Sequence, residues 1–114
     1  MVDVSTYLDQ TGMCTIAANG TGTATMVPSH AHESWDVTNT AVSTSTATNI
    51  PLAQVYVGAA IPGTAKMSTY TGNQDDSDTE FTVPSGSYIT ATWTNADPGA
   101  TAYINVTGNR ITRR

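Results

Sequence analysis

Apolar and hydroxyl-bearing residues alternate along the C-terminal half of the chain, and this period of two most restricts what the chain can fold into. Ile89, Ala91 and Trp93 share one parity, and the threonines between them take the other. Successive side chains of a strand point to opposite faces, so the pattern predicts a half-buried strand. The same alternation occurs at Ala53, Val55 and Val57, at Met67, Thr69 and Thr71, at Phe81 and Val83, and at Ala102, Ile104 and Val106.

Turn-forming sequences separate these predicted strands at intervals of about 10–14 residues, as is typical of β-sandwiches. They lie at Ile61–Gly63, Thr71–Asn73, Pro84–Gly86 and Asp97–Gly99.

The N-terminal half carries weaker versions of the same signals. Cys14 and Ile16 begin a predicted strand, and Asn19-Gly20 predicts a turn into a strand at Thr23–Val27. Trp35 and Val37 differ in parity from Val42, and a β-bulge near Asn39 would reconcile them. The sequence thus predicts seven or eight short strands and no helix. The expected fold is all-β, an antiparallel β-sandwich of immunoglobulin-like or jelly-roll-like kind.

Composition supports strands over helices. Of 114 residues, 22 are Thr and nine are Ser, and two Leu stand against nine Val and six Ile. Threonine and β-branched aliphatic residues fit a pleated surface better than a helix. This balance excludes a helical bundle, a coiled coil and a parallel α/β enzyme domain.

The two ends of the chain differ from its middle. Residues 1–12 are polar and weakly patterned, and we interpret them as an extended N-terminal arm. Residues 13–112 form the predicted sandwich domain, and residues 113–114 a basic C-terminal tail. Three of the four cations lie in the last five residues. The arm and Arg110–Arg114 are therefore predicted to contribute docking contacts.

The net charge and the cysteine content limit the classes of partner and the compartment in which the chain is expected to fold. The net charge is −5 with only four Lys and Arg, which disfavours a nucleic-acid surface. The lone Cys14 cannot form an internal disulfide, and no signal peptide is visible, so folding in a reducing cytoplasm is expected. No apolar run approaches the roughly 20 residues of a transmembrane helix, and no membrane partner is expected.

Two segments contain candidate metal ligands. On a strand, His30 and His32 would point the same way and, with Glu33, could form an open metal site. The alternative is a polar loop that ends where Trp35 enters the core. Asp76, Asp78 and Glu80 place carboxylates at alternate positions, which suits Ca²⁺. The alternative is an acidic hairpin loop that discourages edge pairing.

No arrangement of nucleophile and base stands out, so no catalytic residue and no cofactor-binding residue is predicted. Cys14 is interpreted as a small buried thiol in an apolar strand. Tyrosines at positions 56, 70, 88 and 103 could form a sugar-stacking platform or a protein interface.

From about Ala41 onward the chain resembles small β-sandwich virion structural proteins of tailed bacteriophages. The resemblance covers about two-thirds of the chain. It lies in Val42–Thr46, Gln54–Gly58, Tyr70–Asn73, Asp76–Asp78 and Trp93–Ala102. It implies a virion structural component without an enzymatic role, assembled in the host cytoplasm and bound to other virion proteins and to copies of itself.

Within that class, a capsid decoration or a neck or collar spike in several copies is the leading hypothesis. The alternative is a carbohydrate- or receptor-binding module of the tail tip, with Tyr and Trp rings as platform and calcium at Asp75–Glu80. A third class, an enzyme with a metal at His30, His32 and Glu33, is not favoured.

Overall fold

A computed structural model describes residues 3–28, 32–45, 48–59, 61–69 and 74–113. They form nine strands and a single 3₁₀ turn, Pro62–Thr64. The strands are β1 (Asp3–Thr15), β2 (Gly22–Met26), β3 (Glu33–Thr44), β4 (Leu52–Val57), β5 (Ala65–Thr69), β6 (Gln74–Ser77), β7 (Phe81–Val83), β8 (Ile89–Thr94) and β9 (Thr101–Arg113). No helix among the described residues is long and apolar enough to cross a membrane.

The strands form two antiparallel sheets that pack face to face. The first, here the long sheet, has the order β1-β9-β3-β6, and β7 also pairs with β3. The second, here the short sheet, has the order β2-β8-β4-β5. The predicted all-β sandwich is thereby confirmed. The ninth strand is β6, which lies within the segment interpreted as an acidic loop.

The core lies between the sheets and follows the predicted alternation. Trp35 of the long sheet and Trp93 of the short sheet are its largest buried side chains. The alternating residues of β8 and β9 are buried with them, namely Ile89, Ala91, Ala102, Ile104 and Val106. Because apolar side chains face inward at every second position, the intervening threonines of β8 lie on the opposite side of their sheet.

The predicted bulge in β3 is confirmed. The register between β3 and β9 shifts between Val37 and Asn39, which gives Trp35, Val37 and Val42 a common inward direction. Gly108 lies opposite Val37 at this point. A Cβ there would overlap the carbonyl oxygen of Asp36, so the bulge requires a glycine on the neighbouring strand.

The N-terminal region differs from the prediction. Its described part, residues 3–12, belongs to β1 and pairs residue by residue with β9. Leu8 is fully buried, so this segment is part of the long sheet and of the core rather than a separate arm. The first residue of the predicted basic tail, Arg113, likewise ends β9 and pairs with Asp3.

The turn at Asn19-Gly20 forms as predicted, but it does not join two strands of one sheet. The Ala17 amide donates to the Thr21 carbonyl at 2.8 Å, and the Gly20 amide donates to the Ala17 carbonyl at 2.9 Å. The strand before this turn, β1, pairs with β9, and the strand after it, β2, pairs with β8. The turn therefore carries the chain from the long sheet to the short sheet.

Candidate functional site

β1 is a long edge strand. It has 13 residues, whereas the other edge strands β2, β5, β6 and β7 have three to five. Within the described residues it pairs with β9 alone, so no strand is hydrogen-bonded to its second edge, although β2 of the short sheet approaches its last residues near Gly12 and Cys14. Tyr7 and Met13 lie on its outward face and are 69% and 62% exposed.

The outer face of the long sheet also carries a depression of about 680 Å³, here called the trough. Its floor follows β3 at Ala41 and Ser43, whose side chains are small. Strand β9 supplies one wall and strand β6 the other. Ala41 pairs with Asn105 and Asp76, and Ser43 pairs with Tyr103 and Gln74. The trough exists because larger side chains flank two small ones on the same face of three neighbouring strands.

Hydrogen bonds between side chains fix both sides of the trough. The Asn39 Nδ2 group donates to Asp78 Oδ1 at 2.8 Å and, more weakly, to Asp76 Oδ2 at 3.4 Å. On the other side, Asn105 Nδ2 lies within hydrogen-bonding distance of three acceptors of β1: Asp9 Oδ1 at 2.8 Å, Thr11 Oγ1 at 2.9 Å and the Gln10 carbonyl at 3.2 Å. Both amide nitrogens are therefore already used as donors.

The candidate calcium ligands do not all lie together. Asp76 and Asp78 face the same Asn39 amide, but Glu80 lines a different depression with Asp36 and Thr82. Across the described residues, no group of three or more His, Cys, Asp and Glu side chains is placed to hold a metal ion. Calcium binding at Asp76 and Asp78 stays a prediction.

The candidate ligands at the start of β3 separate in the same way. His32 is exposed and lines a depression with Ser34 and Ser85, and His30 lies outside the described residues. Glu33 is buried instead, with 4% of its surface exposed. Its Oε2 accepts a hydrogen bond of 2.8 Å from the Trp35 indole and lies 3.5 Å from Arg110 Nε.

The ion pair of Glu33 with Arg110 is a feature that sequence reasoning missed. A buried carboxylate is costly unless it is paired, and here the indole N–H and the guanidinium share that role. The available signal was parity, because Glu33 shares the parity of Trp35 and Val37 and therefore faces inward with them. The cluster holds the end of β3 against β9.

Three of the four tyrosines of the predicted aromatic platform are described, at positions 56, 88 and 103, and they do not lie together. Tyr56, expected to be exposed, is 7% exposed, and its hydroxyl donates to Gln54 Oε1 at 2.8 Å. Tyr103 lies on β9 of the long sheet, whereas Tyr88 precedes β8 of the short sheet; Tyr70 lies outside the described residues. Both tryptophans are in the core.

Cys14 is partly buried on β1. Burial raises the pKa of its thiol above the ordinary value of 9.0, while a hydrogen bond with the Thr23 backbone acts in the opposite direction. Because the thiolate is the nucleophilic form, the raised pKa makes this thiol less reactive than an exposed one at neutral pH.

Comparison with known proteins yields one similar structure to report. The chain is similar to a chain in the structure of infectious bursal disease virus Gx strain, with a TM-score of 0.41 and 10% sequence identity. The similarity covers 99% of this chain and 32% of that chain, so this chain spans about a third of its length. No protein-family model and no curated protein matches the sequence. The functional argument therefore depends on the chain's own residues.

Proposed function

We propose that the chain is a non-enzymatic structural protein of a tailed-bacteriophage virion. It docks in several copies on the particle, as a capsid decoration or as a neck or collar spike. The observation that carries the proposal is the open edge of β1. The resemblance to phage β-sandwich proteins across Val42–Ala102 supports it from the sequence.

An open strand edge presents a row of unpaired backbone N–H and C=O groups, to which another chain can add a strand. Proteins that work alone protect such edges with prolines, lysines, bulges or short strands. β1 contains no proline and no lysine, and its only charges are Asp3 and Asp9. Because Asp9 accepts a hydrogen bond from Asn105, and only the last residues of β1 approach β2, the edge from Asp3 to Thr11 remains with little protection. Such an edge suits a protein whose working state is an assembly.

Tyr7 and Met13 extend this edge into a docking surface. Their exposed side chains lie on one face of β1, six residues apart in a strand that rises about 3.4 Å per residue. Aromatic residues and Met are enriched in the contact surfaces of protein interfaces. The proposed contact therefore combines backbone pairing along β1 with two apolar anchors.

The pairing of β1 with β9 decides which variant tests this role. Deleting residues 1–12 would remove most of β1 and uncover the core beside Leu8, so it would report folding rather than docking. The double substitution Tyr7→Lys with Met13→Lys keeps Leu8 and places positive charge along the open edge. The matched control is Thr23→Lys, an exposed position on the short edge strand β2.

The experiment is complementation of a phage that lacks the gene, followed by quantitative gels of purified particles. The wild-type chain and Thr23→Lys should be present in many copies, and the double variant should fall to the background of the deletion. Absence of the wild-type chain from particles would contradict the virion role. Equal occupancy by the double variant would contradict the role of β1. Many copies per capsid indicate decoration, and few indicate a neck or tail position.

A further inference from the structure

The shape of the trough restricts what can enter it. Its floor at Ala41 and Ser43 lies between two walls contributed by β9 and β6, and it opens to solvent along one side. Its volume of about 680 Å³ falls in the range of about 300–1,000 Å³ that small-molecule sites occupy. A ring-sized ligand fits such a site better than a protein surface does.

Several hydrogen-bond acceptors lie on the walls of the trough. The Nδ2 groups of Asn39 and Asn105 are occupied by hydrogen bonds to carboxylates and to β1. The amide oxygens of both residues can accept hydrogen bonds, beside the exposed carboxylate of Asp76. Amide and carboxylate oxygens accept hydrogen bonds, so a ligand that supplies several donors fits these groups. The neighbouring carboxylates of β6 repel an anionic ligand.

Tyr103 adds an aromatic wall to this acceptor-rich site. The face of a tyrosine ring carries partial negative charge, and it attracts the weakly positive C–H groups along one side of a sugar ring. A pyranose combines that C–H face with hydroxyl donors around its rim. It thus matches the Tyr103 ring and the Asn105 amide oxygen on the β9 wall, and the Asp76 carboxylate on the β6 wall.

We infer that the trough is a binding site for a neutral pyranose unit of a glycan. Asp76 and the Asn105 amide oxygen accept hydrogen bonds from sugar hydroxyls, and the Tyr103 ring packs against the sugar. The bonds from Asn39 to Asp76 and Asp78 fix the β6 side before the sugar arrives, which reduces the entropy lost on binding. The proposed contact residues Asp76, Asn105 and Tyr103 lie outside β1, but Met13 is the cross-strand neighbour of Tyr103. The sugar site is therefore tested in chains that keep the wild-type β1 sequence, so that its failure says nothing against the virion role.

The test is ligand-observed NMR on the purified full chain with a panel of methyl glycosides. The neutral members are glucose, galactose, mannose and N-acetylglucosamine glycosides, and the acidic members are sialic and glucuronic acid glycosides. At least one neutral glycoside should bind, and both acidic ones should bind about tenfold more weakly or not at all. Binding should weaken about tenfold in Tyr103→Ala, and also in Ala41→Leu, which fills the floor.

The matched control for the lost ring is Tyr88→Ala, since Tyr88 is part-exposed and precedes a strand of the other sheet. It should bind like the wild type. If Ala41→Leu does not fold, Asp76→Asn tests the same wall, because it keeps the shape and removes the charged acceptor. Failure of every neutral glycoside to bind overturns the site, as does unchanged binding by Tyr103→Ala and Asp76→Asn. A preference for the acidic glycosides overturns it too.

Discussion

The long sheet and the short sheet bury similar side chains on their inner faces and carry different ones outside. The outer face of the short sheet carries many hydroxyl side chains, and its side-chain hydrogen bonds join Gln54 to Tyr56 and Ser68. The hydroxyl side chains include Thr23, Thr25, Thr92 and Thr94. The outer face of the long sheet instead carries amides and carboxylates that bond to one another across strands. The same alternation of side chains thus produces one outer face rich in hydroxyl groups and another that carries carboxylates, amides and the trough.

The two sheets also differ at their edges. The short sheet ends in strands of five residues on both sides, whereas the second edge of the longer strand β1 is hydrogen-bonded to no strand among the described residues. Short edges are poor templates for strand addition, and a long open edge is a good one. Both sheets therefore supply the core, and the two proposed contact surfaces both lie on the long sheet.

The largest expected effect comes from the bulge that shapes the long sheet. In Gly108→Ala the new methyl group would overlap the Asp36 carbonyl, and we expect a loss of more than about 3 kcal/mol in the free energy of unfolding. The control is Gly86→Ala in a loop, where φ is +83° and no atom lies within 4 Å of the added Cβ. It should cost only the left-handed penalty of about 1–2 kcal/mol. Urea denaturation measures both, and equal losses would contradict the close approach of β3 and β9.

The second effect concerns the buried end of β3. Glu33→Ala leaves Arg110 without its carboxylate and the Trp35 indole without its acceptor, so we expect a loss of about 2–3 kcal/mol. Glu33→Gln keeps an oxygen for the indole and loses only the ion pair, so it should cost about 1 kcal/mol. Thermal or urea unfolding separates the two variants. Identical losses would show that the indole bond contributes nothing.

The third prediction compares one outward-facing residue on a central strand of each sheet. Asn105→Ala removes an amide that reaches three acceptors on β1, and it should cost about 1–2 kcal/mol. Thr92→Ala, at the outward face of β8, should change the free energy of unfolding by less than about 0.5 kcal/mol. Urea midpoints of the two variants decide the question. A loss in Thr92→Ala as large as in Asn105→Ala would remove the difference between the faces.

The smallest effect is a pH dependence from Cys14. Its folded-state pKa lies above the unfolded value of 9.0, so the folded state keeps its proton longer as pH rises. The contribution is fully present below pH 9.0 and is lost as pH rises through the folded-state pKa. Between a pH below 9.0 and a pH above the folded-state pKa, the urea midpoint should fall more for the wild type than for Cys14→Ala. An equal fall in both proteins would contradict the raised pKa.

Much of the architecture could be predicted because alternation reports directly on which side chains face a core. The strands around Trp93 and Ile104 and the bulge near Asn39 all follow from parity. The first half of β1 could not be found this way. Its inward positions include Thr6 and Gln10 beside Leu8, and an edge strand can place polar side chains at its margin.

The site was harder to predict than the fold, because it depends on register between strands far apart in sequence. Asn105, Ala41 and Asp76 meet only once β9, β3 and β6 are aligned, and no local pattern encodes that alignment. The residues of a turn likewise say nothing about which sheet the next strand joins. Asn19-Gly20 correctly predicts a turn, but whether the next strand joins the same sheet depends on tertiary packing.

In the proposed assembly, a neighbouring chain covers the open edge of β1. A cryo-electron microscopy reconstruction of the purified particle would show whether it does. We expect this sandwich at repeated positions, with a neighbouring chain against the outer edge of β1 and against Tyr7 and Met13. A particle in which that edge faces solvent at every copy, or from which the chain is absent, would rule out this role of β1.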